Sequence, residues 1–309
     1  MTLSNRKILR TLLCLLAGTL YAVCLSACGA KEPLSENRDA EIESPVIAND
    51  LSNQKVTAIA EDTQGHIWIG TFRGLNKNNV HDYHQYFCTD DSLGLPDNQI
   101  THLLRDSKNR FWVGTVNGVC LYTDKDNFRI IPIEADNKNV RQILEDRNGR
   151  IFLNTGFQLY AYHPREEKIT CVLPEISPGN AFYAQCHIAP DNNLWVMTST
   201  GLRCYDPSTL QLKESVALSG YPYYSYLHNN ELWITGNHTL SIFDTRTRSF
   251  KPLPQPIARN TTLCNADIDY IHPYGNNGLL LNTARHGMFY YNPGTGSVTR
   301  QGENGFPFE

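Results

Sequence analysis

Beyond residue 28 the sequence has no apolar run of about 20 residues, which excludes a protein that crosses a membrane repeatedly on helices. It has no basic stretch either. The 27 Lys and Arg stand against 31 Asp and Glu, for a net charge of −4, so nothing marks a nucleic-acid-binding surface. Amphipathic helical periodicity of useful length is missing throughout. The nine cysteines contain no C-x-x-C pair. The six that follow residue 28 are Cys88, Cys120, Cys171, Cys186, Cys204 and Cys264, and their spacings suit neither a zinc site nor a dense disulfide framework. Several lie in apolar strand patterns and read as small core residues, while their even number leaves room for a disulfide. There is no G-x-S-x-G elbow, no Walker loop and no G-x-G-x-x-G opening a helix, so the usual signatures of a hydrolase or nucleotide site are absent. His81-x-x-His84 has metal-compatible spacing only on a helix, and this region reads as strand and loop; neither a metal nor a cofactor is expected. Disorder is excluded because aromatic and β-branched residues run along the whole chain.

The N-terminus differs from the rest. Arg6, Lys7 and Arg10 precede an uncharged apolar stretch, Thr11–Ala27, that ends in small residues, which is the pattern of an export signal. Leu25-Ser26-Ala27-Cys28 resembles the bacterial lipoprotein signal, so lipidation of Cys28 is expected, with an uncleaved anchor or ordinary signal cleavage as the alternatives. The chain therefore divides into a signal peptide over 1–28, a polar tether over 29–50 with an outer strand at 44–48, and a repeat region over 51–309.

The repeat is the strongest signal. Val56–Asp62 is followed by Thr63-Gln64-Gly65, then Ile67-Trp68-Ile69-Gly70-Thr71, then Gly74-Leu75. Ile100–Asp106 with Phe111-Trp112-Val113-Gly114-Thr115 and Gly118-Val119 repeats it, and Val140–Asp146 with Ile151-Phe152-Leu153-Asn154-Thr155 does so again. Leu194-Trp195-Val196, Leu232-Trp233-Ile234 and Leu279-Leu280-Leu281 continue the series more loosely. The anchors at 68, 112, 152, 195, 233 and 280 are 44, 40, 43, 38 and 47 residues apart. Each unit carries the alternation and the Asp, Asn and Gly turns of four short antiparallel strands. Such a unit cannot bury both faces alone and must stack radially. The fold class expected is all-β, a β-propeller of four-stranded blades with six recognisable blades, and the anchor aromatics wedge between neighbouring blades. Ser44–Ala48 reads as the outer strand of a final blade, so an incomplete seven-bladed propeller is expected, with a closed six-bladed ring as the alternative.

The pattern I-x-x-I-x-E-D-x-x-G-x-I-W-I-G-T-x-x-G-L, closest at residues 56–75 and 100–119, resembles the regulator-propeller repeat of Bacteroidetes hybrid two-component sensors. The resemblance covers roughly residues 45–305. It implies an extracytoplasmic propeller that recognises oligosaccharides; together with the lipoprotein-type signal, periplasmic or cell-surface placement anchored through Cys28 is expected. No kinase, receiver or DNA-binding segment follows, so the chain resembles a truncated sensor and no enzymatic activity is expected of it. The other open readings are a propeller-fold enzyme such as a polysaccharide lyase and a lipid-anchored protein-interaction scaffold.

Candidate ligand-binding residues come from propeller geometry. The loop between second and third strands, G-T-x-x-G-L, lies on the face of the inter-blade loops, and its second variable position holds Arg73, Asn117, Phe157, Thr200, His238 and Arg285, with His286 adjacent. These residues vary while their flanks repeat, and they suit hydrogen bonding to sugar hydroxyls. Tyr221 and Tyr223, in a Tyr-rich run, could stack on a sugar ring. The expected partners are an oligosaccharide and the membrane, through the N-terminal lipid or anchor; a homodimer is an open option, and nucleic acid is not expected.

Overall fold

In a computed structural model of the chain, residues 45–307 are described apart from 80, 90–93, 124, 177–183 and 276. The signal segment, Cys28 and residues 29–44 of the tether lie outside the described residues. Every unit of the repeat folds as a four-stranded antiparallel meander, because alternation of period two puts one row of side chains on each face. Blade 1 holds β2 (Val56–Glu61), β3 (Ile67–Thr71), β4 (Gly74–Asn79) and β5 (Asp82–Tyr86). Blade 2 holds β6 (Ile100–Arg105), β7 (Phe111–Thr115), β8 (Gly118–Tyr122) and β9 (Phe128–Ile131). Blade 3 holds β10 (Gln142–Glu145), β11 (Ile151–Asn154), β12 (Leu159–His163) and β13 (Lys168–Leu173). Blade 4 is β14 (Gln185–Ile188), β15 (Leu194–Thr198), β16 (Gly201–Tyr205) and β17 (Leu212–Ala217). Blade 5 is β18 (Pro222–His228), β19 (Glu231–Gly236), β20 (Thr239–Asp244) and β21 (Ser249–Lys251). Blade 6 is β22 (Ile268–Tyr274), β23 (Gly278–Thr283), β24 (Gly287–Asn292) and β25 (Ser297–Arg300). The protein is a six-bladed β-propeller whose helical content among the described residues is slight, including two single turns, α1 (Gln255–Ala258) and α2 (Thr261–Cys264), between β21 and β22.

A strand does form in the tether, β1 (Val46–Ala48), but its position corrects the expectation that it would complete a final blade. It pairs with β5, Val46 opposite Gln85, as a fifth strand on the outer edge of blade 1. The open ladder of β5 lies directly beside it, and Gln85 fixes the return loop by donating from Nε2 to the Asp50 carbonyl at 2.8 Å.

The core is divided among the blade interfaces. Trp68 and Leu75 pack with Ile100 and Phe111 between blades 1 and 2, and Trp112 and Leu121 pack with Val140 and Ile151 between blades 2 and 3. Phe152 with Leu194, Trp195 with Phe243, and Trp233 with Leu279 mark the next three interfaces. All four Trp side chains are buried, as anchors between blades should be. Among the described residues no such cluster joins blade 6 to blade 1. The turns between first and second strands gather at one face of the propeller, and the loops between second and third strands gather at the other. All six described cysteines are free. No helix among the described residues is long and apolar enough to cross a membrane.

Candidate functional site: the loop face of the channel

The G-T-x-x-G loops are rigid for a local reason. The Thr hydroxyl closes each loop by donating to the Gly carbonyl three or four residues on: Thr71 to Gly74 at 2.8 Å, Thr115 to Gly118 at 2.9 Å, Thr198 to Gly201 at 3.0 Å and Thr283 to Gly287 at 2.7 Å. Gly118 has φ +132°, a conformation that side chains disfavour, which explains the Gly in the motif. These loops stand around the channel opening on stiff strands.

The first strands add a feature that alternation does not show. In β2, β6, β18 and β22 the register slips by one residue near the loop face, at Thr57, Thr101, Tyr223 and Asp269. A bulge re-aims the extra side chain away from its regular face. Thr57, Thr101 and Tyr223 line one cavity of about 360 Å³, together with Gln99, Asn139, Arg141, Gln142 and Gln185. Tyr223 and Asp269 line an adjoining cavity of about 960 Å³ with Gln185, Ser199, Tyr221, Pro222, Tyr224, Asn237, Asp267, Tyr270 and Ala284. Gln185 and Tyr223 belong to both, so the two cavities are neighbouring parts of one mouth.

The larger cavity is lined by tyrosines and by oxygen- and amide-bearing side chains. Tyr221 is 78% exposed and Tyr270 54%, so both rings are available to a flat partner. Burial, with the neighbouring Asp267 and Asp269 carboxylates, pushes the Tyr223 phenol up to about 12. Its oxygen is buried and makes no hydrogen bond of ordinary geometry; Thr235, which is close enough to oppose the shift slightly, gives its own proton to the Tyr224 carbonyl at 3.4 Å. The Thr57 hydroxyl and the Asn139 side-chain oxygen, in the smaller cavity, are also buried without partners. Unpaired polar atoms of this kind are costly unless something bonds them, and these three are at the mouth, where solvent or a polar ligand can reach them.

The sequence-derived candidates fall on two sides of this geometry. Tyr221 and Tyr223 line the larger cavity. Arg73, Asn117, Phe157, Thr200, His238, Arg285 and His286 line neither cavity; they are exposed at the loop tips. It is the first variable position of the loop that faces the mouth, with Val116, Ser199, Asn237 and Ala284 in the linings. His238 acts one step behind, since its backbone N–H donates to Asp267 Oδ1 at 3.0 Å and its Nδ1 lies 3.2 Å from the same oxygen. The lining residues Asp267, Asp269, Tyr270 and Gln185 were not singled out by sequence. The run Asp267-Ile268-Asp269-Tyr270 was the available signal, at the start of a first strand.

A hydroxyl–imidazole pair lies between blades 4 and 5. His187 Nε2 lies 2.8 Å from Ser225 Oγ, which suggests a nucleophile and its base. Yet Ser225 is buried between blades 4 and 5, its hydroxyl also reaches Gln185 Oε1 at 3.0 Å, and burial pushes the His187 imidazole down to about 4. The pair ties two blades together. Among the described residues no group of three or more His, Cys, Asp and Glu converges as metal ligands would.

Comparison with known proteins fits this geometry. The family model described as Two component regulator propeller matches residues 50–73 and 94–117, so that repeat is present in blades 1 and 2. No curated protein sequence matches the chain. Among solved structures, the extracellular domains of two proteins described as hybrid two component systems from B. thetaiotaomicron superpose with TM-scores of 0.63 and 0.65, at 16% and 20% identity. They cover 80% and 84% of this chain, whereas it covers only 36% and 37% of them, so the chain spans little more than a third of those structures. Virginiamycin B lyase from Staphylococcus aureus superposes with a TM-score of 0.61 at 16% identity, over 82% of this chain and 86% of the lyase. At these identities the likeness establishes the fold.

Proposed function

We propose that this propeller is a ligand-recognition module of the two-component sensing type, working outside the cytoplasm and taking an oligosaccharide at the loop-face mouth. The observation that carries the reading is the cavity of about 960 Å³ in which exposed tyrosine rings stand beside neutral hydroxyl and amide groups and the two carboxylates Asp267 and Asp269. A sugar presents apolar C–H faces for rings and hydroxyls for bidentate acceptors, and this lining offers both. Export and a lipid on Cys28 belong to the same reading and rest on the residues around Cys28. Replacing Cys28 by Ala should release the protein from the membrane fraction.

The test is titration of the purified protein with a panel of oligosaccharides. Saturable binding without turnover is expected, and Tyr221→Ala should weaken it about tenfold, a loss of roughly 1.4 kcal/mol. A propeller lyase is the second reading, favoured by the superposition on virginiamycin B lyase. Chain shortening or new unsaturated ends during the titration would replace the first reading with the second.

A further inference from the structure

The run Asp267-Ile268-Asp269-Tyr270 leads into and begins β22, and its apolar member sets the other three. Ile268 is buried among the apolar residues between blades 5 and 6, and the residues on either side of it line the larger cavity instead. The ladder pairs Ile268 with Thr283 and Tyr270 with Asn282, which leaves Asp269 as the extra residue of the bulge. Asp267 is held in place. Its carbonyl accepts the Ala284 N–H at 2.9 Å, and its Oδ1 accepts the His238 backbone N–H at 3.0 Å, with His238 Nδ1 3.2 Å away. Asp269 has no such support. It is half-buried, yet among the described residues it makes neither a hydrogen bond nor an ion pair. Each of the other buried or half-buried carboxylates described makes at least one.

The wall around the two carboxylates is aromatic. Tyr221, Tyr223, Tyr224 and Tyr270 line the same cavity, and the Tyr224 and Tyr270 rings meet edge to face with centroids 5.4 Å apart. Burial, and after it the charges of Asp267 and Asp269, keep the Tyr223 phenol protonated, so both carboxylates act on one point of the cavity. No Lys, Arg or His is among the described residues that line it. Arg141 lines the smaller cavity, while Arg285 and His286 are exposed on the loop beyond Ala284. The lining of the larger cavity therefore carries two negative charges and no positive one.

A half-buried carboxylate without a partner costs free energy, and a second one nearby adds repulsion. The hydroxyls of a neutral sugar can fill its lone pairs but leave both charges uncompensated. A sugar acid adds a third negative charge. A protonated amine supplies three donors and the opposite charge, and it is also the kind of group that tyrosine faces attract. On the reading of the mouth as an oligosaccharide site, on which this rests, we propose that the larger cavity selects a sugar unit bearing a free amine. A 2-amino-2-deoxy sugar is such a unit, and its ammonium group is set between Asp267 and Asp269.

The test is calorimetric titration of the full chain with matched tetrasaccharides: β-1,4-linked glucosamine and its N-acetylated form, and α-1,4-linked galactosamine and its N-acetylated form. At least one free-amine member should bind about tenfold more tightly than its N-acetylated partner. Raising NaCl from about 20 to about 200 mM should weaken that binding about threefold and leave the N-acetylated partner unchanged. Asp269→Asn should reduce the preference to about twofold or less, because the carboxylate contact is lost. Asp191→Asn removes the same charge from an exposed turn on the opposite face and should leave the preference intact. The matched pairs need no variant, so they decide even if Asp269→Asn misfolds. An N-acetylated or neutral saccharide that binds as tightly as the free-amine ones would overturn the proposal and leave the oligosaccharide reading standing. Binding by other saccharides with none by these four would do the same. Equal loss of preference in Asp269→Asn and Asp191→Asn would assign the effect to the overall charge of the chain, and the proposal would fall. Absence of binding by any saccharide would overturn both.

Discussion

Blades 1 and 2 are built around a connection that blades 4 and 5 lack. In the first pair, a turn aspartate reaches back to the anchor tryptophan six residues later. Trp68 Nε1 donates to Asp62 Oδ2 at 2.9 Å, and Trp112 Nε1 donates to Asp106 Oδ2 at 2.8 Å. The same carboxylates accept backbone N–H groups of their own turns, at Gln64 and His66 and at Lys108 and Arg110. In blade 4 the equivalent residue is Ala189, and in blade 5 the turn is one residue shorter. Trp195 Nε1 and Trp233 Nε1 are buried without a partner. All four tryptophans are nonetheless buried to the same degree, in sheets of the same order. Apolar wedging is thus enough for the architecture, and the Asp–Trp bond is an addition that satisfies a polar atom at the wedge. The family model matches just the two blades that keep it.

Removing the connection where it is strongest should have the largest effect. Asp106→Ala strands the Trp112 N–H and leaves Arg110, whose Nε lies 2.6 Å from Asp106 Oδ2, without its charge partner. We expect a loss of about 3 kcal/mol, seen as a fall in Tm on the order of 5 °C by calorimetry. Acid should act on the same groups. Burial would raise the Asp106 carboxyl, but hydrogen bonds from Trp112 and Arg110 and the charge of Arg110 outweigh it and hold the group below 3.8. Asp62 is lowered likewise, burial again being opposed by the bonds from Trp68, His66 and Gln64. A lowered carboxyl contributes stability above its unfolded value of about 4 and loses it as pH falls through the folded one. Stability should therefore drop below pH ~4, and the slope of denaturant midpoint against pH should be shallower in Asp106→Asn.

Supplying the connection where it is missing is the converse. The turn of blade 4 has the backbone bonds of blade 2: Ala189 N–H to Asn193 O at 2.9 Å, beside Asp106 N–H to Arg110 O at 3.0 Å. Ala189→Asp should give Trp195 its acceptor and stabilise by about 1 kcal/mol, raising Tm by about 2 °C. A Tm below that of the parent protein would mean that the loose turns are adjusted to their own sequences. The smallest effect is expected at an exposed pair that bridges blades 2 and 3, Arg129 and Glu167. Arg129→Ala should change the unfolding free energy by less than about 0.5 kcal/mol, because solvent screens the pair.

The architecture was legible because it is periodic. The anchors at 68, 112, 152, 195, 233 and 280 all lie in second strands, and the turn reading of Asp62, Asp106 and Asp146 places them where the hairpins reverse. Alternation along the strand also accounts for Glu61 and Asp62 facing opposite ways, one exposed and one buried. The mouth was less legible. A bulge at Thr57 or Asp269 adds one residue without changing composition, so alternation counted along the strand misassigns everything on its loop side. Nor does composition tell which of the two variable loop positions faces the mouth, where Ser199 and Asn237 line it and Thr200 and His238 do not. The partner of β1 was not readable either, since three residues carry too little pattern to choose between two edges.

Among the described residues, apolar clusters join the six blades at five interfaces, and this has a consequence for cooperativity. In a closed circle, a weakened contact is backed by the path running the other way, and no unit is terminal. Along a line, stability passes only between neighbours, as in a solenoid, and the two end units open first. One end here is blade 1, with its Asp–Trp bond and a fifth strand clamped to its rim. The other is blade 6, whose anchor is the smaller Leu280. Fraying should begin at blade 6 and travel toward the first blades, so that the part of the chain lining the larger cavity is also the first to feel whatever is bound beside it.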